Sequence, residues 1–182
     1  EKTCLIGLVA RFDPQKDHHN FILAAELIKK YDSSVHFMLC GGDITKENIQ
    51  LMQWIRQAGL VEHFHLLGLR SDVSSLVAAM DVAVSSSLGE GFPNVVGEAM
   101  ACAVPCVVTN VGDSALIVGD TGRVVPAKDP AALAEGIIEL LQASPEYRKG
   151  LGEQARLRVQ NNYSLESVVR TYEAVYRGVL SV

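Results

Sequence analysis

DVAVSSSLGEGFPNVVGEAMACA, running from Asp81 to Ala103, is the stretch whose reading decides the fold. A short apolar run from Asp81 to Ser86 passes into Ser87-Leu88-Gly89-Glu90-Gly91, and Pro93 then opens a segment with helical spacing that continues to about Ala103. Strand, glycine-rich loop and helix in that order make one βα unit, and Pro suits the first helical position, where an N–H would lack a partner anyway. On a helical wheel Val95, Val96, Ala99, Met100 and Ala103 share one face, while Asn94 and Glu98 lie together on the other.

The same alternation extends in both directions. Upstream, Cys4–Ala10 reads as a strand, and Phe21, Ile22, Ala25 and Ile28 follow at helical spacing. Val35–Cys40 is a second strand ending at Gly41-Gly42-Asp43, after which Thr45 can cap a helix toward Ala58, closed by Gly59. His63–Leu67 is a third strand, and Ser71 or Asp72 can cap a short helix through Met80. Downstream, Pro105–Thr109 and Gly122–Val125 supply strands, with Gly112-Asp113-Ser114 read as a turn between them. Asp129-Pro130 and Ser144-Pro145 start helices, and a last helix runs from Ser164 to Leu180 with an apolar stripe that ordinary packing would explain. Strands that are continuously apolar imply a parallel sheet covered on both faces, since a half-exposed strand would alternate. The expected fold is α/β: a doubly wound, Rossmann-like parallel sheet of about six strands with helices on both faces, in one domain spanning residues 1–182.

Composition narrows the function classes. The 182 residues are 48% hydrophobic and 20% charged, which is ordinary for a globular protein. Sixteen Lys and Arg against 21 Asp and Glu leave a net charge of −5, so no broad positive field draws nucleic acid or an anionic membrane, and any anion must be held locally. Cys4, Cys40, Cys102 and Cys106 show no CxxC spacing and read as buried free thiols, which favours a reducing, cytoplasmic compartment. No apolar run is long enough for a transmembrane segment. The chain opens with Glu1 and enters a strand at once, without Met or leader, and reads as a piece of a longer protein.

Ligands of such sheets bind beyond the carboxyl ends of the strands. Arg11 and Lys16 follow the first strand there, Gly41-Gly42 the second, Gly68 and Arg70 the third, and Ser85 to Phe92 the fourth. A guanidinium fork and a mobile ammonium suit a diphosphate, although each could instead be solvated or paired with Asp13 or Asp17. Gly91 permits close backbone approach, and the helix from Pro93 aims its free N–H groups into the crevice. Glu98, pointing away from the core, can accept hydrogen bonds from vicinal hydroxyls such as a ribose, and Glu90 can meet a second set. His18-His19 reads as a surface pair capping the following helix rather than a metal site, and His36, His63 and His65 as strand-face or edge positions. Ser85–Ser87 lie in no GxSxG elbow and read as small residues making room. A dinucleotide oxidoreductase is set aside, because Arg11-Phe12-Asp13 stands where GxGxxG is required.

Val9-Ala10-Arg11-Phe12-Asp13-Pro14-Gln15-Lys16 resembles the GRLxxxK opening of the retaining family 4 glycosyltransferases, and Glu90 through Ala101 resembles their block of two glutamates separated by seven residues. Gly41-Gly42-Asp43, His65–Asp72, Val104–Val108 and Gly122–Pro126 extend the resemblance over nearly the whole chain. It implies the C-terminal, donor-binding half of a two-domain GT-B enzyme of polysaccharide biosynthesis, with the N-terminal acceptor domain of the parent missing here. The implied partner is a nucleotide-diphospho-sugar donor, used without metal or other cofactor, at the cytoplasmic face of the membrane in the parent enzyme, with transfer to a saccharide or lipid-linked acceptor. Carried over, Arg11 and Lys16 would hold the diphosphate and Glu90 the transferred sugar, these three being the catalytic set. Glu98 would bind the ribose; Gly91, Phe92, Pro93, Asn94 and Val95 would offer backbone donors; Gly68, Leu69 and Arg70 would border the base. The family's Gly-Gly-Glu after the fifth strand is absent, Gly112-Asp113-Ser114 leading instead to Ala115-Leu116-Ile117, so no role is assigned there. The alternative is a nucleotide-sugar binding module with no catalytic activity on its own.

Overall fold

Among the described residues six strands pair, in parallel throughout: β1 (Leu5–Val9), β2 (His36–Cys40), β3 (Phe64–Leu66), β4 (Val82–Ser85), β5 (Cys106–Thr109) and β6 (Arg123–Val125). Their order in the sheet is β3-β2-β1-β4-β5-β6 in this computed structural model, which describes residues 3–180. Glu1, where the chain opens, lies outside the described residues.

Successive strand residues serve two separate cores, which is why the strands read as unbroken apolar runs. Ile6, Leu8, Phe37, Leu39, Val82, Val84 and Val107 face one core, built with α1 (His18–Tyr31), α2 (Ile49–Gln57) and α6 (Pro130–Gln142). Met38, Ala83, Cys106 and Val108 face the other, with α3 (Val73–Ala78), α4 (Asn94–Ala101), α5 (Ser114–Val118) and α7 (Pro145–Tyr163). The sheet is therefore doubly wound, as expected.

Local chemistry sets most helix starts. Asp129 and Ser144 cap α6 and α7 through side-chain bonds to Ala132 N and Tyr147 N, with Pro next in each case. Four local readings change. The helix expected to be capped by Thr45 begins three residues later, because Asn48, not Thr45, accepts from Leu51 N. Pro93 is the residue before α4 rather than its first. Gly112-Asp113-Ser114 leads into α5, a helix of five residues too short to show a period. Finally, α8 (Leu165–Leu180) has no buried residue, so packing within this domain does not explain its stripe. Leu165, Tyr172, Tyr176 and Val179 are each more than half exposed along it.

All four cysteines are free thiols; Cys40 and Cys106 are buried, Cys4 and Cys102 only partly. Burial pushes the Cys106 thiol up to about 12. Both outer strands, β3 and β6, are three residues long. Beside β3, His36 and His65 hydrogen-bond at 2.9 Å through their rings, and Lys29 reaches His63. No described helix is long and apolar enough to cross a membrane.

Candidate functional site

The strand order reverses between β1 and β4: the chain leaves β1 toward β2 on one side and returns to β4 on the other. A crevice opens there because the loops following these strands diverge. A cleft of about 280 Å³ occupies it, lined by Arg11 and Lys16 from the β1 side and by Ser86, Ser87, Glu90 and Val95 from the β4 side.

The β1–α1 loop is built to hold its shape. Asp13 accepts from Gln15 N at 2.9 Å and from Arg11 Nε at 3.1 Å, and the two contacts together keep its carboxyl below the usual range. Asp17 takes a left-handed conformation, φ 45°, and its side chain caps α1 at Asn20 N. Phe12 N donates to Gly42 O, and Gly41 makes a close approach possible, since a Cβ there would stand 2.1 Å from Ala10 O.

Across the cleft the β4–α4 loop is tied to this one at several points. Ser86 Oγ donates to Lys16 O and Asp17 O at 2.8 and 3.1 Å, Leu88 N donates to Gln15 O at 2.7 Å, and Gln15 Nε2 donates to Gly89 O. Lys16 Nζ lies 2.6 Å from Glu90 Oε1, an oxygen that also accepts from Ser87 Oγ at 2.7 Å. Behind them Thr109 Oγ1 donates to Ser87 O at 2.7 Å. Gly112 presses on the same loop: Asp113 N donates to Gly91 O, and a Cβ on Gly112 would meet Glu90 O at 2.2 Å.

Of the candidate residues, Arg11, Lys16, Glu90 and Val95 meet in the cleft. Arg11 pairs with Asp13 at 3.1 Å, as one sequence alternative had it, but Lys16 pairs with neither Asp13 nor Asp17: its carboxylate is Glu90. Gly91, Phe92 and Pro93 lead into α4, which Asn94 opens and whose first turn is capped by no side chain. The Phe92 ring lies against Tyr163 at 5.4 Å, and of this segment only the following Val95 lines the cleft. Glu98 is exposed on α4, away from the core as the wheel placed it. Gly68, Leu69 and Arg70 sit at the end of β3, where Gly68 O accepts from Gly41 N, Leu69 is exposed, and Arg70 is bound twice by Asp72.

Sequence reading missed two sets of groups. Ser86 and Ser87, taken as space-makers, are the struts between the loops. His18, taken as a surface residue, is 2% exposed beneath the β1–α1 loop, its ring 5.5 Å from Phe12. Neither ring nitrogen has a hydrogen-bond partner among the described residues, and burial brings the ring down to about 4, against the nearby Ala10 carbonyl, which favours the protonated form. The unfolded chain, with an ordinary imidazole near 6.5, takes up the proton first as pH falls. Stability is therefore expected to fall between pH 6.5 and 4 by about 3 kcal/mol. Urea unfolding across that range checks this: His18→Gln should flatten the pH dependence, and an unchanged slope would refute it.

Comparison with known proteins agrees with this architecture. The family profile described as "Glycosyl transferases group 1" matches residues 3–143. N-acetyl-alpha-D-glucosaminyl L-malate synthase of Bacillus anthracis is 32% identical over 158 residues, covering 86% of this chain and 40% of the relative. Capsular polysaccharide biosynthesis glycosyltransferase CapM of Staphylococcus aureus is 29% identical, covering 97% of this chain and 46% of its own length. The crystal structure of Anabaena HepE in complex with UDP and glucose superposes with a TM-score of 0.82 at 25% identity, over 99% of this chain and 49% of that one. The chain thus spans half or less of the length of these proteins. With the sheet order, the two loops and the family match in agreement, this chain belongs to the group 1 glycosyltransferases.

Proposed function

We propose that the cleft between β1 and β4 binds a nucleotide-diphospho-sugar, and that the protein transfers the sugar, with retention of configuration, to a saccharide or lipid-linked acceptor. The observation that carries this is the meeting of Arg11, Lys16 and Glu90, from loops some 74 residues apart in sequence, in one cleft at the switch point of the sheet. Departure of a nucleoside diphosphate builds negative charge on the β-phosphate. Arg11, Lys16 and the open first turn of α4 place positive charge and N–H donors where that charge develops. Glu90 accepts from hydroxyls of the transferred sugar and Glu98 from the ribose. Gly91 to Val95 supply backbone donors, and Gly68 to Arg70 border the base. The reading assigns no metal or other cofactor.

A second domain of the parent protein would complete the acceptor side. Two observations support this: the chain spans half or less of its relatives, and α8 turns an apolar face outward. The chain by itself is then a donor-binding unit that does not transfer. Four free thiols favour a reducing, cytoplasmic setting, and the parent would act at the membrane's cytoplasmic face.

Calorimetry of the chain with UDP, GDP and ADP tests the donor site. Arg11→Ala is expected to weaken binding of whichever nucleotide is accepted by roughly 1.5–3 kcal/mol, the range for hydrogen bonds to charged groups. A variant that binds as well as the parent, or a parent that binds none of the three, would sink the reading.

A further inference from the structure

Lys16 and Glu90 are, in the donor reading, the ligands of two different parts of one molecule, yet here they bind each other. The pair is shielded, the Lys16 side chain being 22% and the Glu90 side chain 10% exposed. Glu90 Oε1 takes both Lys16 and Ser87, while Oε2 has no protein donor among the described residues. Arg11, the second cation of the cleft, already faces Asp13. A diphosphate entering the cleft therefore competes with Glu90 for Lys16.

The outcome of that competition depends on what else the ligand carries. When sugar hydroxyls donate to Glu90, the carboxylate keeps hydrogen bonds as Lys16 moves to the phosphates. A bare nucleoside diphosphate offers no such hydroxyls. Drawing Lys16 away then leaves a largely buried carboxylate with Ser87 alone, and a shielded charge stripped of its partner is costly. Occupation of the sugar position and grip on the phosphates are thus coupled, and such coupling is reciprocal.

We propose that Glu90 is a specificity-determining residue: by competing for Lys16 unless sugar hydroxyls engage it, it makes the cleft favour the sugar-bearing donor over the bare nucleoside diphosphate left after transfer. The inference rests on the donor-binding reading above. It assigns Glu90 a part in product release as well as in holding the sugar, and it gives the Ser87 hydroxyl a measurable role.

Titration calorimetry on the 182-residue chain tests it, with inorganic pyrophosphate, UDP and UDP-glucose as probes and GDP and GDP-mannose in parallel. Glu90→Gln is expected to tighten pyrophosphate and the bare nucleotide by about fivefold or more, within the usual span of site–site coupling, and to narrow the gap between donor and bare nucleotide. In a Lys16→Met background the same change should move affinity little. Ser87→Ala, which leaves Glu90 more dependent on Lys16, should shift bare-nucleotide affinity the opposite way, a second reading should Glu90→Gln fail to fold. Unchanged or weaker pyrophosphate binding in Glu90→Gln overturns the proposal. So does an equal gain with and without Lys16, which would mean that Glu90 only repels the anion. If the parent chain and its variants bind no diphosphate probe at all, the donor reading fails and this inference falls with it; if the parent binds, the variants alone decide.

Discussion

Lys16→Met is expected to weaken diphosphate binding by about 1.5–3 kcal/mol, roughly 10- to 100-fold, because it deletes a charge-assisted contact in a partly shielded cleft. The lower end is favoured, since the parent must open the Lys16–Glu90 pair to make that contact. Met preserves the apolar stem of the side chain and its packing, so the change isolates the ammonium. The chain should also lose about 1 kcal/mol of stability in urea, as a carboxylate that is 10% exposed keeps only its bond from Ser87. Calorimetry with pyrophosphate and nucleoside diphosphates reads the first effect. Affinity within twofold of the parent would remove Lys16 from the site.

Gly112→Ala should cost more stability than any change in the cleft itself. Gly112 has φ +51°, a conformation that disfavours a side chain, and an added Cβ would stand 2.2 Å from Glu90 O and 2.5 Å from Gly91 O. Those atoms are backbone, so no rotamer change relieves the overlap, and the β4–α4 loop must move. Strain and overpacking together amount to roughly 2–4 kcal/mol. The displaced segment carries Glu90 and leads into α4, so donor binding should fall along with the melting temperature. A variant that melts and binds like the parent would show that the loop yields at no cost.

Residue patterns made the sheet legible because each strand is apolar over consecutive positions, and the structure shows why: both faces are covered. They made α6 and α7 legible because Asp129 and Ser144 act as caps with Pro behind them, using only neighbours in sequence. The same logic misplaced the start of α2, where Thr45 and Asn48 are both competent caps and it is Asn48 that accepts from Leu51 N, its amide also donating to Asp43 O. Arg11, Lys16 and Glu90 were found through their places at strand ends. That Lys16 chooses Glu90 over the nearby Asp13 and Asp17 is a fact of tertiary geometry, as is the burial of His18, and neither has a local signal. The outward face of α8 falls in the same class, since periodicity reports that a helix has an apolar side but not what meets it.

The brevity of β3 and β6 bears on how the protein behaves when concentrated. A sheet rim is a row of unpaired amides and carbonyls on which another chain can grow. Each rim here offers only three residues, and the rings of His63 and His65, with the Lys29 ammonium close by, put bulky polar groups along the β3 side. Stacking of copies edge to edge would gain few bonds and would crowd bulky side chains along the β3 side, so the parallel sheet is guarded against fibril-like growth.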